Sequence, residues 1–241
     1  MNRTIVQQSA PRRSGAGHVA YSGYCLTAFT VLAVTALGVN LFVPGLRRRR
    51  AVASAFARLF FKAAGIRLTV DGRDRLPSTP CVVVANHASY LDGVVACASL
   101  PPEFAFVIKK EMVRVPLAGL LLRRLGSEFV ERFDRRAGAS DARRVLKTAS
   151  AGQSLVFFPE GTFNEVPQVG QFLRGAFATA ARANMPIVAV AIHGTRDVLP
   201  AGTLVMLRRP IKVEVLDTLV GAEARADSRE LIARAVGEPL A

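Results

Sequence analysis

Seven residues, Asn86-His87-Ala88-Ser89-Tyr90-Leu91-Asp92, hold the side chains in this chain best suited to acid–base chemistry. An imidazole takes up a proton near neutral pH. A carboxylate five residues on can fix its tautomer and stabilise its charged form. His87 is therefore the candidate general base and Asp92 its orienting acid, a pair suited to deprotonating a hydroxyl. Ser89 lies between them, but no G-x-S-x-G elbow surrounds it, so a serine nucleophile is not expected. A second polar stretch, Pro159-Glu160-Gly161-Thr162, offers a carboxylate and a turn of backbone N–H groups. Those N–H groups suit anion binding or oxyanion stabilisation, whereas Glu160 alone can serve simply to cap the turn. Lys109 and Lys110 follow a third apolar run as a source of positive charge or as a solvated strand end. His193, at a similar strand end, is a weaker candidate, and His18 is given no role.

Something must hold these groups together. Short Val-rich or otherwise apolar runs at 81–85, 104–108, 154–158 and 186–192 have the length of buried strands. Alternating stretches at 67–71, 127–132 and 211–215 add further strands. Helices are expected from the seven-residue insert to about Leu100, with Ser89 or Asp92 as N-cap, and from Pro116 to Leu125, closed by Gly126. Others are expected over 139–151 with Ser140 as N-cap, 171–183 and 223–236. The alternation predicts an α/β fold, a mixed but centrally parallel sheet flanked by helices. If the central strands are parallel, the loops at His87, Lys109 and Glu160 converge at their carboxyl ends.

The first 65 residues have a different character. Residues 1–20 are polar and rich in small residues, the composition of a disordered tail. Asp, Glu, Lys and Arg are absent from Ser14 to Leu46. The most apolar part, Tyr24 to Val43, approaches the roughly 20 residues that a membrane-spanning helix needs. Arg47-Arg48-Arg49-Arg50 follows, and such a block stays cytoplasmic. A cleaved signal peptide is disfavoured by the length of the apolar stretch and the basic cluster beyond it. Residues 51–65 form a basic amphipathic helix, fit to lie among lipid headgroups or to pack on the following domain. The apolar helix can span the membrane or pair with the basic one as a hairpin in one leaflet. The expected division is a tail (1–20), a membrane-associated helical segment (21–65) and a catalytic domain (66–241).

Thirty-two Lys and Arg against 18 Asp and Glu give the 241-residue chain a net charge of +14. Its isoelectric point is near 11.0 and its mean hydropathy +0.29. That excess calls for an anionic partner, either a membrane surface, nucleic acid or an acidic substrate. With no Trp and three Tyr, a base-stacking platform is poorly supplied, so nucleic acid is not the expected partner. Cys25, Cys81 and Cys97 match no metal spacing and sit in apolar runs, as reduced buried residues do.

Together, the loops resemble the glycerolipid acyltransferases, the family of the 1-acylglycerol-3-phosphate acyltransferases. Asn86 to Asp92 matches that family's N-H-x-x-x-x-D block. Gly126-Ser127-Glu128-Phe129-Val130-Glu131-Arg132 is similar to its second, Phe158-Pro159-Glu160-Gly161-Thr162 to its third and Pro186–Ile192 to its fourth. The resemblance covers residues 60–215, roughly. It implies acyl transfer from acyl-CoA or acyl carrier protein to the free hydroxyl of a lysophospholipid, most directly 1-acylglycerol-3-phosphate. His87 and Asp92 are then catalytic. Glu160, Gly161 and Thr162 form the acceptor site, and Lys109 and Arg132 supply charge for a phosphate. No metal or cofactor is required beyond the acyl donor. The enzyme is expected at the cytoplasmic face of the cell membrane, against anionic lipid. One position departs from the pattern: many members carry a basic residue after the Thr, and here it is Phe163. Arg174 is a candidate substitute for the missing charge, and an acceptor without phosphate, such as a lyso-ornithine lipid, stays open. A thioester or lipid hydrolase and a non-catalytic basic membrane binder are the other readings.

Overall fold

The computed structural model describes residues 15–131, 135–163 and 165–241. In chain order the first elements are α1 (Ala16–Phe42), α2 (Leu46–Ala63), β1 (Leu68–Asp71), β2 (Val82–Ala85) and α3 (Asp92–Ser99). Then come β3 (Ala105–Lys109), α4 (Ala118–Arg124), β4 (Glu128–Val130), α5 (Arg135–Ser150) and β5 (Leu155–Phe157). The last are α6 (Gly175–Ala183), β6 (Ile187–His193), α7 (Thr195–Val198), β7 (Ile211–Leu219) and α8 (Ala224–Val236).

The strands form one seven-stranded sheet, ordered β1-β7-β6-β2-β5-β3-β4. Among the described residues only the β6–β7 pair is antiparallel. The mixed, centrally parallel sheet expected from sequence is therefore what the chain forms. β2 lies in the middle, with Val83 opposite Val156 on one side and Val188 on the other. Its β-branched residues favour extended backbone, and all four of its residues are buried. Alternate side chains face opposite layers. Val83 and Ala85 pack with Phe60, Phe61 and Val95 of α2 and α3. Val82 and Val84 pack with Ala176 and Ala180 of α6. Each buried Val contributes roughly 1.5–3 kcal/mol, so this one strand rivals the net stability of a typical domain.

Adjacent strands β2 and β5 send the chain to opposite faces, β2 into α3 and β5 into α6. Their following loops part, which opens a crevice at the carboxyl ends of the two strands. That crevice receives the His87 and Glu160 loops.

Several boundaries differ from expectation. Residues 1–14 lie outside the described residues, but 16–20, assigned to the tail, are helical. Extending an existing helix is far cheaper than nucleating one, and the Ser22 hydroxyl donates back to the His18 carbonyl at 2.6 Å. The second helix starts at Leu46, not residue 51. Gly45 turns the chain at φ +78° and the four Arg, good helix formers, occupy the first turns. Arg50 is buried and donates to the carbonyls of Leu125 and Glu103. The helix thus packs on the domain through Ala53, Ala57, Phe60 and Phe61, while Leu59 faces outward. Ser140 lies inside α5, which begins at Arg135. α6 begins at Gly175, after a segment tied back by the Leu173 N–H donating to the Pro159 carbonyl at 2.8 Å.

Candidate active site

Asn86 fixes where the chain leaves β2. Its side-chain amide donates to the Ile192 carbonyl at 2.9 Å and accepts from the Ile192 N–H at 2.8 Å, clamping the loop to β6. His87 comes next. Its Nδ1 lies 2.8 Å from Asp92 Oδ2. The same oxygen accepts the N–H groups of Ala88 at 2.6 Å and Ser89 at 2.8 Å. Asp92 therefore does not cap α3 as expected. Its carboxylate turns back into the loop that carries the imidazole, and Leu91 flanks the helix without a side-chain cap. Ser89 takes that place instead: its Oγ accepts the Leu91 N–H at 3.2 Å, while its hydroxyl donates to the Leu199 carbonyl at 2.8 Å, and it is fully buried. Those two bonds occupy the hydroxyl, in keeping with a structural role for this serine.

Asp92 is wholly buried, and His87 retains about a fifth of its side-chain surface. A buried carboxylate needs compensation. Here it comes from two N–H groups, the imidazole and a place in the first turn of α3, where a negative charge is favoured. Asp92 Oδ1 has no hydrogen-bond partner among the described residues. With Nδ1 donating to Asp92, His87 Nε2 is left with the lone pair that a base needs.

Glu160 locks the second loop to the first. Its Oε1 accepts the His87 N–H at 2.7 Å and its Oε2 the Gly170 N–H at 2.7 Å. Burial raises its carboxyl above the ordinary range, against the pull of those two N–H donors. Gly170 permits the contact: a Cβ there would lie 2.8 Å from Glu160 Oε2. Aromatic rings then enclose the imidazole. Phe158 stacks on it with centroids 4.7 Å apart, and Phe163 meets it edge-on at 4.6 Å. Tyr90 supports Phe163 from behind at 4.8 Å.

The other sequence candidates are placed less tightly. Lys109 is exposed at the carboxyl end of β3, two strands from β2 in the same sheet. Arg132 lies outside the described residues. Gly161 makes the turn at φ +79°, and its N–H donates to the Phe158 carbonyl at 3.0 Å. That N–H is thus committed to the turn, which removes it from the anion-binding set expected for this loop. Thr162 is exposed. Arg174 is exposed at the start of α6, beside the Leu173–Pro159 backbone link. Sequence reasoning missed the clamp made by Asn86, the packing role of Phe158 and Tyr90, and Gly170. Tyr90 alone carried a signal, as an aromatic residue within a polar loop.

The profile of the Acyltransferase family matches residues 67–193. A chloroplastic 1-acyl-sn-glycerol-3-phosphate acyltransferase of Brassica napus is 32% identical over 158 residues, 64% of this chain and 46% of that protein. The human 1-acyl-sn-glycerol-3-phosphate acyltransferase beta is 34% identical over 177 residues, 69% of this chain and 61% of its own length. The chain spans about half the length of the curated relatives it matches. The crystal structure of the 1-acyl-sn-glycerophosphate (LPA) acyltransferase PlsC from Thermotoga maritima superimposes with a TM-score of 0.78 at 21% identity. That match covers 92% of this chain and 95% of the other and establishes the shared fold.

Proposed function

This chain belongs to the Acyltransferase family, and on that premise we propose that it moves a fatty acyl group from acyl-CoA or acyl carrier protein to the hydroxyl of a lysophospholipid. The acceptor that its relatives' names point to is 1-acylglycerol-3-phosphate, with phosphatidic acid as product. The observation that carries the reading is the 2.8 Å contact between His87 Nδ1 and a buried Asp92 carboxylate, in the crevice of the sheet. Nε2 takes the proton of the acceptor hydroxyl as its oxygen attacks the thioester carbonyl. The tetrahedral intermediate collapses with cleavage of the C–S bond, and the imidazolium returns the proton to the thiolate. Asp92 stabilises the imidazolium throughout. The nucleophile belongs to the substrate, so no acyl-enzyme forms.

Lys109, Arg132 and Arg174 are the candidate charges for an anionic headgroup, with Glu160 and Thr162 shaping the acceptor loop. Phe163 favours a second acceptor class, because the ring against His87 stands where a basic residue is common in the family. A lysolipid without phosphate then takes the place of 1-acylglycerol-3-phosphate.

The N-terminal helices suit attachment to a single leaflet of the cell membrane at its cytoplasmic face. α1 is 27 residues long and apolar enough to cross a bilayer. It nevertheless lies along the protein, tied near its start by the Met206 N–H donating to Ser22 Oγ at 2.8 Å. Near its end, Arg124 donates to the carbonyls of Asn40 and Leu41. Its outer face, including Leu26, Val31 and Val34, is exposed for lipid. The test of function is an acceptor screen with the full chain, read by mass spectrometry of lipid products. Acylated lysolipid is the expected result. Free fatty acid formed regardless of acceptor would mark a hydrolase, and vesicle binding with no turnover a non-catalytic binder.

A further inference from the structure

Between β3 and β4 the chain makes a hairpin of two helical turns, a 3-10 turn over Lys110–Arg114 and α4. Gly119 lets the turns touch: a Cβ on it would lie 2.3 Å from the Val113 carbonyl oxygen. The Gly119 N–H donates to the Val115 carbonyl at 2.8 Å. At the tip, Leu117 holds φ +60°, an unfavourable conformation for a residue with a Cβ. The hairpin is thus closely built, yet its tip is neither polar nor covered. Arg114, Val115, Pro116 and Leu117 are exposed in succession. Val115 leaves 42% of its surface free, Leu117 55% and Leu120 40%. Such apolar projections from an ordered turn call for a partner.

Two observations select that partner. The tip is ringed by positive charge: Lys109, Lys110, Arg114 and Arg123 are exposed, with Glu111 the one acidic residue from 109 to 124. α4 also packs beside α1 through the two Arg124 hydrogen bonds. The apolar tip therefore extends the lipid-facing surface of α1 toward the end of the sheet that carries His87, since the hairpin leaves from the carboxyl end of β3.

We propose that the 110–124 hairpin is a second membrane contact, with Val115, Leu117 and Leu120 inserted among the acyl chains of an anionic bilayer beside the mouth of the active site. Basic side chains around an apolar wedge satisfy both layers of such a surface, headgroup and hydrocarbon. A lysolipid leaving the bilayer there reaches the crevice without crossing bulk water. The inference rests on the lipid-acceptor reading above, but its test reads membrane depth and needs no turnover.

The chain contains no Trp, so a single introduced indole reports its own surroundings. Leu117→Trp, and independently Leu120→Trp at a regular helical position, are mixed with vesicles of phosphatidylcholine and phosphatidylglycerol, with or without brominated acyl chains. Val220→Trp is the control, an exposed position past the far end of β7. The expected result is a shift of both hairpin reporters to shorter wavelength and quenching by brominated lipid, with Val220→Trp unchanged in both respects. Hairpin reporters that keep their solvent-exposed emission while the protein sediments with the vesicles would overturn the proposal. So would a shift produced by an acyl carrier protein and not by vesicles, which would make the hairpin a docking site for the donor. Acyl transfer measured on the same variants tells failure of this inference from failure of the proposed activity.

Discussion

Replacing Asp92 with Asn removes one charge while keeping nearly the same shape. In the folded chain Asp92 Oδ2 accepts from His87 Nδ1, Ala88 N and Ser89 N. An amide oxygen in that place keeps the three bonds in neutral form, so the imidazole stays oriented. What is lost is the attraction between the carboxylate and the imidazolium that forms during transfer. Charges about 4 Å apart at an effective dielectric constant of about 20 interact by about 4 kcal/mol. Allowing for the residual dipole of the amide leaves about 3–4 kcal/mol. At about 1.4 kcal/mol per tenfold, kcat falls by about two to three orders of magnitude. Stability changes for a separate reason. Asp92 Oδ1 has no partner among the described residues, so an NH2 group placed there lacks an acceptor. That costs about 1–3 kcal/mol. The assay is acyl transfer at saturating donor and acceptor, paired with thermal unfolding. A folded Asp92→Asn protein with kcat within about fivefold of the parent chain, a difference of only about 1 kcal/mol, would refute the assigned role.

Phe163→Ala removes ring contacts to His87 and Tyr90, each worth about 0.5–1.5 kcal/mol. The melting temperature should fall, and opening the imidazole to water should raise free fatty acid relative to transferred product. Burial raises the Glu160 carboxyl from the ordinary value of 4.5, so the folded chain holds a proton that the unfolded chain has released. Its contribution to stability therefore declines as pH rises from about 4.5 through the raised value. Unfolding followed between those limits should show that slope, flattened in Glu160→Gln. Arg48 is exposed near the start of α2, whereas Arg47 beside it is paired with Glu103 at 2.6 Å. Replacing Arg48 by Gln should weaken binding to anionic vesicles by about 1 kcal/mol, or about fivefold, as measured by sedimentation at low salt.

The features legible in sequence were those that local pattern controls. Val82 to Ala85 could be recognised as a buried strand because β-branching and burial act within the run itself. His87, Asp92 and Glu160 stood out because polar groups had to break apolar runs. Less legible were contacts set by tertiary neighbours. Of the two cap candidates, Ser89 accepts the Leu91 N–H, whereas the Asp92 carboxylate is turned the other way by Ala88, Ser89 and His87. Glu160 reaches across to His87, 73 residues away in the chain, and Gly170 matters only because that carboxylate lies against it. The four Arg at 47–50 suggested a uniform basic block, yet Arg50 is drawn inside by the carbonyls of Leu125 and Glu103. No spacing rule reveals which of four like residues meets an acceptor on another element. Phe163 was visible as a departure from the family's pattern, but its edge contact with His87 emerged only once the two loops had been brought together.

The most direct measurement compares the intact chain with His87→Ala in the presence of an isotopically labelled acyl donor and 1-acylglycerol-3-phosphate, with lipid product and protein mass followed together. Transfer by the imidazole to a substrate hydroxyl predicts labelled phosphatidic acid from the intact chain, no acyl adduct on the protein and loss of product in the variant. Undiminished phosphatidic acid from a folded His87→Ala protein, or a kinetically competent acyl-enzyme, would contradict it.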